Sequence, residues 1–199
     1  EEEIIKISDL PNIDDSLQNG KKFEILLNQG FPVTSLIKSK SFNENDINDV
    51  FINFKDNFLE EISDKLLNPQ ESVYTLTETP LLSKANTFSR SFSTKLGDVW
   101  EDIAFLSPKI ISVEKIFDNF KIKGVDIIID EEFRFCQLKT MKGTLTGSQK
   151  PRSEIELKIY DESSFIAALD MGSWTFNSPV VPRISGREFW DLIEIDYDL

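Results

Sequence analysis

Apolar residues recur at spacings of three and four along three segments of the chain, and this periodicity predicts amphipathic helices. The first helix is predicted over 13–29 and is stopped by Gly30. The clearest is predicted over 46–67, and the third runs from about Thr94 to Phe105. The apolar stripe of the second helix comprises Ile47, Val50, Phe51, Phe54, Phe58, Leu59, Ile62 and Leu66. That of the third comprises Leu96, Val99, Trp100, Ile103 and Ala104.

The remaining pattern predicts strands and one further helix. Frequent Thr, Ser and Pro over 68–91 indicate irregular structure. The segments "KGVDIIID" and "FRFCQLKT" are typical of adjacent strands joined by a charged turn around residues 130–132, and "SSFIAAL" predicts a strand or a buried helix. Ser185 and Glu188 have capping-box spacing and predict a last helix. We therefore expect an α/β (α+β) fold, in which helices flank a central mixed sheet and the N-terminal region is helical.

Length and composition favour one globular domain over 1–199, with a mostly helical region over 1–80 and an α/β core over 81–199. No run of about 18 apolar residues is present, so no membrane span is expected. The beginning, "EEEIIKISDL", lacks the basic-then-apolar order of a signal peptide, and a single cysteine forms no internal disulfide. These features predict a cytoplasmic protein.

The net charge of −13 argues against nucleic acid as a partner, but the average hides two basic stretches without acids. One is Leu81–Gly97, which contains Lys84, Arg90 and Lys95. The other, 139–152, contains Lys139, Lys142, Lys150 and Arg152. The two stretches form either a basic face on an acidic body or two ordinary solvated loops. Because the chain has no histidine, catalysis must use carboxylates, Lys, Tyr, Ser or a hard metal ion.

The two predicted strands carry polar residues in apolar surroundings. Gln137 and Lys139 alternate on one face of their strand, and Asp126 interrupts the apolar run of the preceding strand. A buried carboxylate is costly unless a cation or several donors meet it, so Asp126 should face a metal ion or Lys139 at the strand end. An Asp–Lys ion pair without a function is the plainer alternative.

Glu101, on the helix before these strands, supports the interpretation that Asp126 faces a metal ion. A helix carboxylate, a strand carboxylate and a strand lysine are the parts of a hard-metal site with an amine beside it. Mg²⁺ prefers oxygen ligands and keeps several waters, so one or two carboxylates suffice. With Lys139 beside it, such a site is suited to hydrolysing phosphodiesters.

The segments "LGDVWEDIAF", "GVDIII", "FCQLKT", "GTLTGSQKPRS" and "SGREFW" together resemble type II restriction endonucleases of the PD-(D/E)XK nuclease superfamily. The similarity covers roughly residues 90–190. It implies a restriction-endonuclease-like core over 81–199, with Asp126, Gln137, Lys139 and Glu101 as catalytic residues. Mg²⁺ would then be held by Asp126, Gln137, Glu101 and the backbone carbonyl of Leu138.

Gln137 departs from the superfamily pattern because it stands where the second acid is usual. A glutamine oxygen can bind Mg²⁺ but brings no charge, and Glu101 would complete the charge. Alternatively Glu154 or Glu156, on the segment downstream, supplies a migrated acid, or the nuclease is weakened or inactive.

The segment after Lys139 combines cations, hydroxyls and amides, which suit DNA phosphates and base edges. The candidate DNA contacts are Thr140, Lys142, Thr144, Thr146, Ser148, Gln149, Lys150 and Arg152. The resemblance implies sequence-specific cleavage of double-stranded DNA to 5′-phosphate and 3′-hydroxyl ends by a homodimer. The alternatives are a structure-selective repair or recombination nuclease of the same superfamily, or a non-catalytic acidic protein that binds a basic partner or mimics DNA.

Overall fold

The computed structural model of the chain describes residues 19–30, 43–68, 79–111 and 122–198. Its elements in chain order are α1 (Asn19–Asn28), α2 (Glu44–Leu67), α3 (Pro80–Ala104), β1 (Ile110–Ile111), β2 (Ile127–Ile129), β3 (Arg134–Met141), α4 (Gln149–Leu157), β4 (Ser163–Leu169), β5 (Arg183–Ser185) and α5 (Arg187–Leu192). A short 3-10 turn, Glu131–Phe133, joins β2 to β3. Residues 13–18 of the first predicted helix and 69–78 of the predicted irregular stretch lie outside the described residues.

The contacts divide the chain into two compact units. The helical unit lies within Phe42–Ile103 and contains α2 and nearly all of α3. The sheet unit comprises the described residues of Glu1–Ser41 and Ala104–Leu199. None of the helices in the described ranges is long and apolar enough to cross a membrane.

In the helical unit, α2 begins with a capping box that the apolar periodicity does not reveal. The Asn43 side chain accepts a hydrogen bond from the Asn45 N–H at 2.8 Å, and Asp46 Oδ2 accepts one from the Asn43 N–H at 2.7 Å. These bonds satisfy donors that the first helical turn leaves unpaired, so the helix begins at Glu44, two residues before its predicted start.

The expectation of irregular structure over 68–91 is wrong for residues 80–91, because α3 already begins at Pro80. Proline is favoured in the first helical turn, where its missing N–H costs nothing. Phe88 and Phe92, four residues apart, lie 5.4 and 5.6 Å from the Phe58 ring of α2. This aromatic packing outweighs the modest helix propensity of the intervening Ser and Thr residues.

The sheet unit contains a five-stranded mixed sheet in the order β1-β2-β3-β4-β5, which confirms the predicted α+β class. The first three strands are antiparallel neighbours, and β3, β4 and β5 are parallel. The adjacent strands predicted from "KGVDIIID" and "FRFCQLKT" pair with Ile127 opposite Cys136. "SSFIAAL" forms β4, which lies between β3 and β5, and α4 makes the crossover that a parallel pair requires.

Apolar clusters cover the sheet. One contains Phe23 and Leu27 of α1 with Ile128, Phe135 and Tyr160. The Phe135 and Tyr160 rings stack with centroids 4.1 Å apart. The other cluster includes Leu145, Leu157, Phe165, Phe176 and Val181. The central strands are therefore buried, and polar residues on them stand out against an apolar background.

The capping box predicted for Ser185 and Glu188 is wrong. Gly186, with a φ of +52°, precedes α5, and no side chain caps the helix. The Ser185 hydroxyl donates to Asp170 Oδ1 at 3.0 Å instead. A Cβ at Gly186 would lie 2.6 Å from the Asp170 Cβ, so the turn requires glycine for its backbone angle and for space.

Phe58 and Leu59 test which part of the α2 stripe is core, because periodicity predicts both but only Phe58 is buried (6% exposed, against 53%). Phe58→Ala should lower the free energy of unfolding of the helical unit by about 3–5 kcal/mol, through lost burial and a cavity. Leu59→Ala should cost less than about 1 kcal/mol. Urea denaturation followed by circular dichroism measures both, and equal losses would contradict the described packing.

Candidate active site

Asp126 immediately precedes β2, at the point where the pairing of β2 with β3 ends. Its N–H donates to the Cys136 carbonyl at 2.9 Å, and regular pairing begins at the next residue, Ile127. Beyond this point β3 has no backbone partner from β2, and Asp126 Oδ2 accepts the Leu138 N–H at 2.8 Å. The carboxylate thus takes the place of a strand carbonyl, which explains why an acid is stable inside an apolar run.

Lys139 reaches the same carboxylate oxygen. Its Nζ lies 3.0 Å from Asp126 Oδ2, and the two side chains are 28% and 22% exposed. Asp126 was expected to face a metal ion or Lys139, and the structure shows Lys139 as its partner. The pair is open to solvent on one side, so a ligand can reach the ammonium group.

Gln137 lies one residue before Leu138 on β3 and is 8% exposed. Its Oε1 is fully buried and has no hydrogen-bond partner among the described residues. An unpartnered buried acceptor costs about 1–3 kcal/mol. The side chain therefore carries an oxygen that is suited to a donor or a cation arriving with a ligand.

The Leu138 carbonyl leaves β3 toward the same edge as its N–H, because both groups of a residue in an extended strand point to the same side. That edge is the one where Asp126 lies. The oxygen donors at this junction are thus the carboxylate of Asp126, the side-chain amide of Gln137 and the carbonyl of Leu138. In the described part of the chain, no three His, Cys, Asp or Glu side chains form a metal-binding group.

Glu101 lies in the last turn of α3, within the helical unit. Asp126, Gln137 and Lys139 belong to the sheet unit. The role of Glu101 as a ligand stays a prediction.

The two candidates for a migrated acid differ in their surroundings. Glu156 is 8% exposed, and its Oε1 accepts a hydrogen bond from Arg152 Nε at 2.8 Å and lies 3.7 Å from Lys123 Nζ. It packs against Gly124, two residues before Asp126, where an added Cβ would lie 2.5 Å from Glu156 Oε2. Glu154 instead accepts a hydrogen bond from the Ser178 hydroxyl at 2.7 Å. Glu156 is thus the candidate beside the strand of Asp126.

Lys123 and Gly124 are the residues here that sequence analysis did not select. The signal was present, because "KGVD" places a cation and a glycine immediately before the strand acid. Gly124 has a φ of +76°, which favours glycine, and its bare backbone allows α4 to approach.

The predicted DNA contacts occupy the end of β3, the turn after it and the start of α4. Thr140 belongs to β3, and Ser148 immediately precedes α4. Two cations are held by acids: Lys142 by Asp170, and Arg152 by Glu156. Lys150 has no ion-pair partner among the residues that the structure describes.

Three of the predicted contacts make local hydrogen bonds that shape the turn. Thr144 Oγ1 donates to the Met141 carbonyl at 2.6 Å. The Thr146 N–H donates to Gln149 Oε1 at 3.0 Å. The structure therefore brings the eight candidates into one continuous segment, and part of their polar capacity is used to hold it in place.

Cys136 lies on the opposite face of β3 from Lys139 and is completely buried, as its alternation predicts. Burial raises the pKa of its thiol above the ordinary range. The chain therefore has no thiolate to offer at this site.

Comparisons of the chain with protein-family models, with curated proteins and with solved structures gave no match.

Gly124→Ala tests the close approach of α4 to the strand of Asp126. We expect a loss of at least about 2 kcal/mol in the free energy of unfolding, because the positive φ is strained for alanine and Glu156 occupies the space. Gly147→Ala is the matched control, since nothing lies within 4 Å of its Cβ. Denaturant titration of both variants gives the difference, and equal stability of the two would contradict the described packing.

Asp170 provides a pH-dependent test of the turn that carries Lys142. A hydrogen bond from Lys142, with a second from Ser185, holds the pKa of Asp170 below its ordinary value. Its stabilisation is therefore present above the unfolded-state pKa of about 3.9 and is lost as pH falls through the lower folded-state value. Asp170→Asn should lower the denaturation midpoint at pH 7, and the difference from wild type should vanish in acid. A difference independent of pH would overturn the assignment.

Proposed function

We propose that the chain is a sequence-specific, Mg²⁺-dependent endonuclease that hydrolyses phosphodiester bonds of double-stranded DNA in the cytoplasm of a bacterial-type cell. The observation that carries the proposal is that Asp126 and Lys139 meet where the pairing of β2 with β3 ends. Asp126 Oδ2 and Lys139 Nζ lie 3.0 Å apart there. A cation ligand and an ammonium group at one solvent-open point are what phosphodiester hydrolysis requires.

The donor atoms beside Asp126 fit a hard divalent cation in kind. Asp126 offers a carboxylate, Gln137 a buried amide oxygen without a partner in the described ranges, and Leu138 a carbonyl on the same edge. Mg²⁺ keeps several waters, so one carboxylate with two neutral oxygens is an acceptable protein contribution, to which Glu101 or Glu156 would add charge. When bound, the ion would neutralise phosphate charge and lower the pKa of a coordinated water.

Lys139 supplies a second positive charge, which belongs to the protein itself and not to the bound ion. Its ammonium is oriented by Asp126 Oδ2 and can hydrogen-bond a phosphate oxygen as negative charge develops on it. In the hydrolysis, a water oxygen bonds to phosphorus while the bond from phosphorus to the 3′-oxygen breaks. The 3′-oxygen takes up a proton, which gives the 5′-phosphate and 3′-hydroxyl ends that the resemblance implies.

The segment 140–152 is the DNA-contacting surface in this proposal. An acidic protein must bind DNA through a local basic surface, and this stretch contains no acid. Its attachment to Asp170 and Glu156 holds two of its cations in place beside the candidate active site. Cutting both strands of a twofold-symmetric sequence suits a homodimer.

Lys139→Ala and Asp126→Asn should each reduce cleavage of plasmid DNA in Mg²⁺ by about 10²–10³-fold, because each removes a charge next to the scissile phosphate. Lys158→Ala, an exposed lysine at the end of α4, is the matched control and should cut normally. Gel analysis of a timed digestion measures all three. Full activity of Lys139→Ala would refute the proposal.

Gln137→Leu separates function from stability at the same site. Removing an unpartnered buried acceptor should leave the free energy of unfolding unchanged or raise it, by up to about 1–3 kcal/mol. Cleavage should nevertheless fall, since a ligand oxygen is lost. A stable variant that retains wild-type cleavage would show that Gln137 holds no ion.

The digestion also distinguishes the rival functions. Discrete fragments from plasmid DNA support restriction, whereas cutting confined to branches or ends supports a structure-selective nuclease. An acidic binding protein leaves every DNA intact, and substitutions at Asp126 do not change its binding to a partner.

A further inference from the structure

The proposed function makes no use of the basic stretch Leu81–Gly97. This stretch forms the first two-thirds of α3, in the helical unit, and contains three cations and no acid. Two of these cations, Arg90 and Lys95, line a cavity between α3 and the end of α2.

The cavity has a volume of about 150 Å³ and is lined by Glu61, Lys65, Arg90, Ser91, Thr94 and Lys95. That volume is roughly the space of five water molecules in the liquid. Three cations against one carboxylate leave its lining with a net charge of about +2. A cavity of this size whose lining carries a net positive charge is suited to a small anion.

Glu61 determines where two of the cations lie. Its Oε1 is 2.5 Å from Lys65 Nζ, and its Oε2 is 3.1 Å from Lys95 Nζ. The hydrogen bond from Lys65, followed by that from Lys95, lowers the pKa of Glu61, so the carboxylate stays ionised. One acid thus holds two ammonium groups together that would otherwise repel each other.

Arg90 differs from the two lysines because the described residues provide its guanidinium with neither an ion pair nor a hydrogen bond. It shares a helical face with Thr94, one turn later, whose hydroxyl donates to the Arg90 carbonyl at 3.0 Å. Ser91 Oγ accepts a hydrogen bond from Lys65 at 3.4 Å, which leaves its own O–H free to donate. The cavity therefore contains one uncommitted guanidinium and one uncommitted hydroxyl.

We propose that this cavity binds a phosphate group. Donors reach it from two helices: Lys65 from α2, and Arg90 and Ser91 from α3. A tetrahedral anion with several acceptor oxygens matches such a set, and a guanidinium can bind two of those oxygens at once. The group is either a backbone phosphate of DNA or a free phosphate. The site does not depend on Asp126 or on cleavage.

Binding to the full-length protein is measured in EDTA, which prevents cleavage, with inorganic phosphate by calorimetry and with a fluorescent DNA duplex by anisotropy. Arg90→Gln should weaken binding about tenfold, as the loss of one charge-assisted contact predicts. Lys84→Gln is the matched control: it removes the same charge from the same helix, outside the cavity.

The source of the phosphate follows from which probe responds. An effect of Arg90→Gln on the duplex, with competition by inorganic phosphate, assigns a DNA phosphate. An effect on inorganic phosphate alone assigns a free one. Equal effects of Arg90→Gln and Lys84→Gln, or no binding of either probe, would overturn the proposal. Loss of cleavage in Asp126→Asn with unchanged binding at the cavity keeps this result separate from the test of the nuclease.

Discussion

The hydrogen bonds that Asp126 accepts from the Leu138 N–H and the Lys139 ammonium determine the arrangement of the candidate active site. They end the pairing of β2 with β3 and replace a missing strand carbonyl with a carboxylate. They also fix the position of a cation at a partly exposed point where the pairing of β2 and β3 ends. Because the same oxygen accepts both donors, the strand end and the lysine are held together. The proposed function depends on this junction and on the buried oxygen of Gln137 next to it.

An acidic chain can bind phosphate only where its cations locally outnumber its acids, and the structure shows this excess at two places. On the sheet unit, buried Glu156 holds exposed Arg152 and Lys123 beside the strand of Asp126. In the helical unit, Glu61 holds Lys65 and Lys95 at a cavity. In both places one carboxylate positions two cations, and the local charge remains positive although the whole chain carries −13.

The apolar runs were sufficient to predict β2 and β3, and the cost of burying a carboxylate predicted that Asp126 would meet either a metal ion or Lys139. The structure shows the lysine. Residue patterns failed where tertiary contacts decide. The start of α3 depends on aromatic packing against Phe58, and the turn before α5 depends on the fit of Gly186 against Asp170. The buried oxygen of Gln137, which has no hydrogen-bond partner among the described residues, could not be predicted either, since both burial and partners depend on tertiary packing.

Binding of a divalent cation at Asp126 tests the account most directly. Mn²⁺ prefers the same oxygen ligands as Mg²⁺ and broadens the NMR signals of nearby nuclei. The account predicts that low concentrations of Mn²⁺ selectively broaden the side-chain amide signals of Gln137 and the backbone amide of Leu138, and that Asp126→Asn abolishes the effect. Broadening confined to surface acids elsewhere, or unchanged in Asp126→Asn, would contradict it.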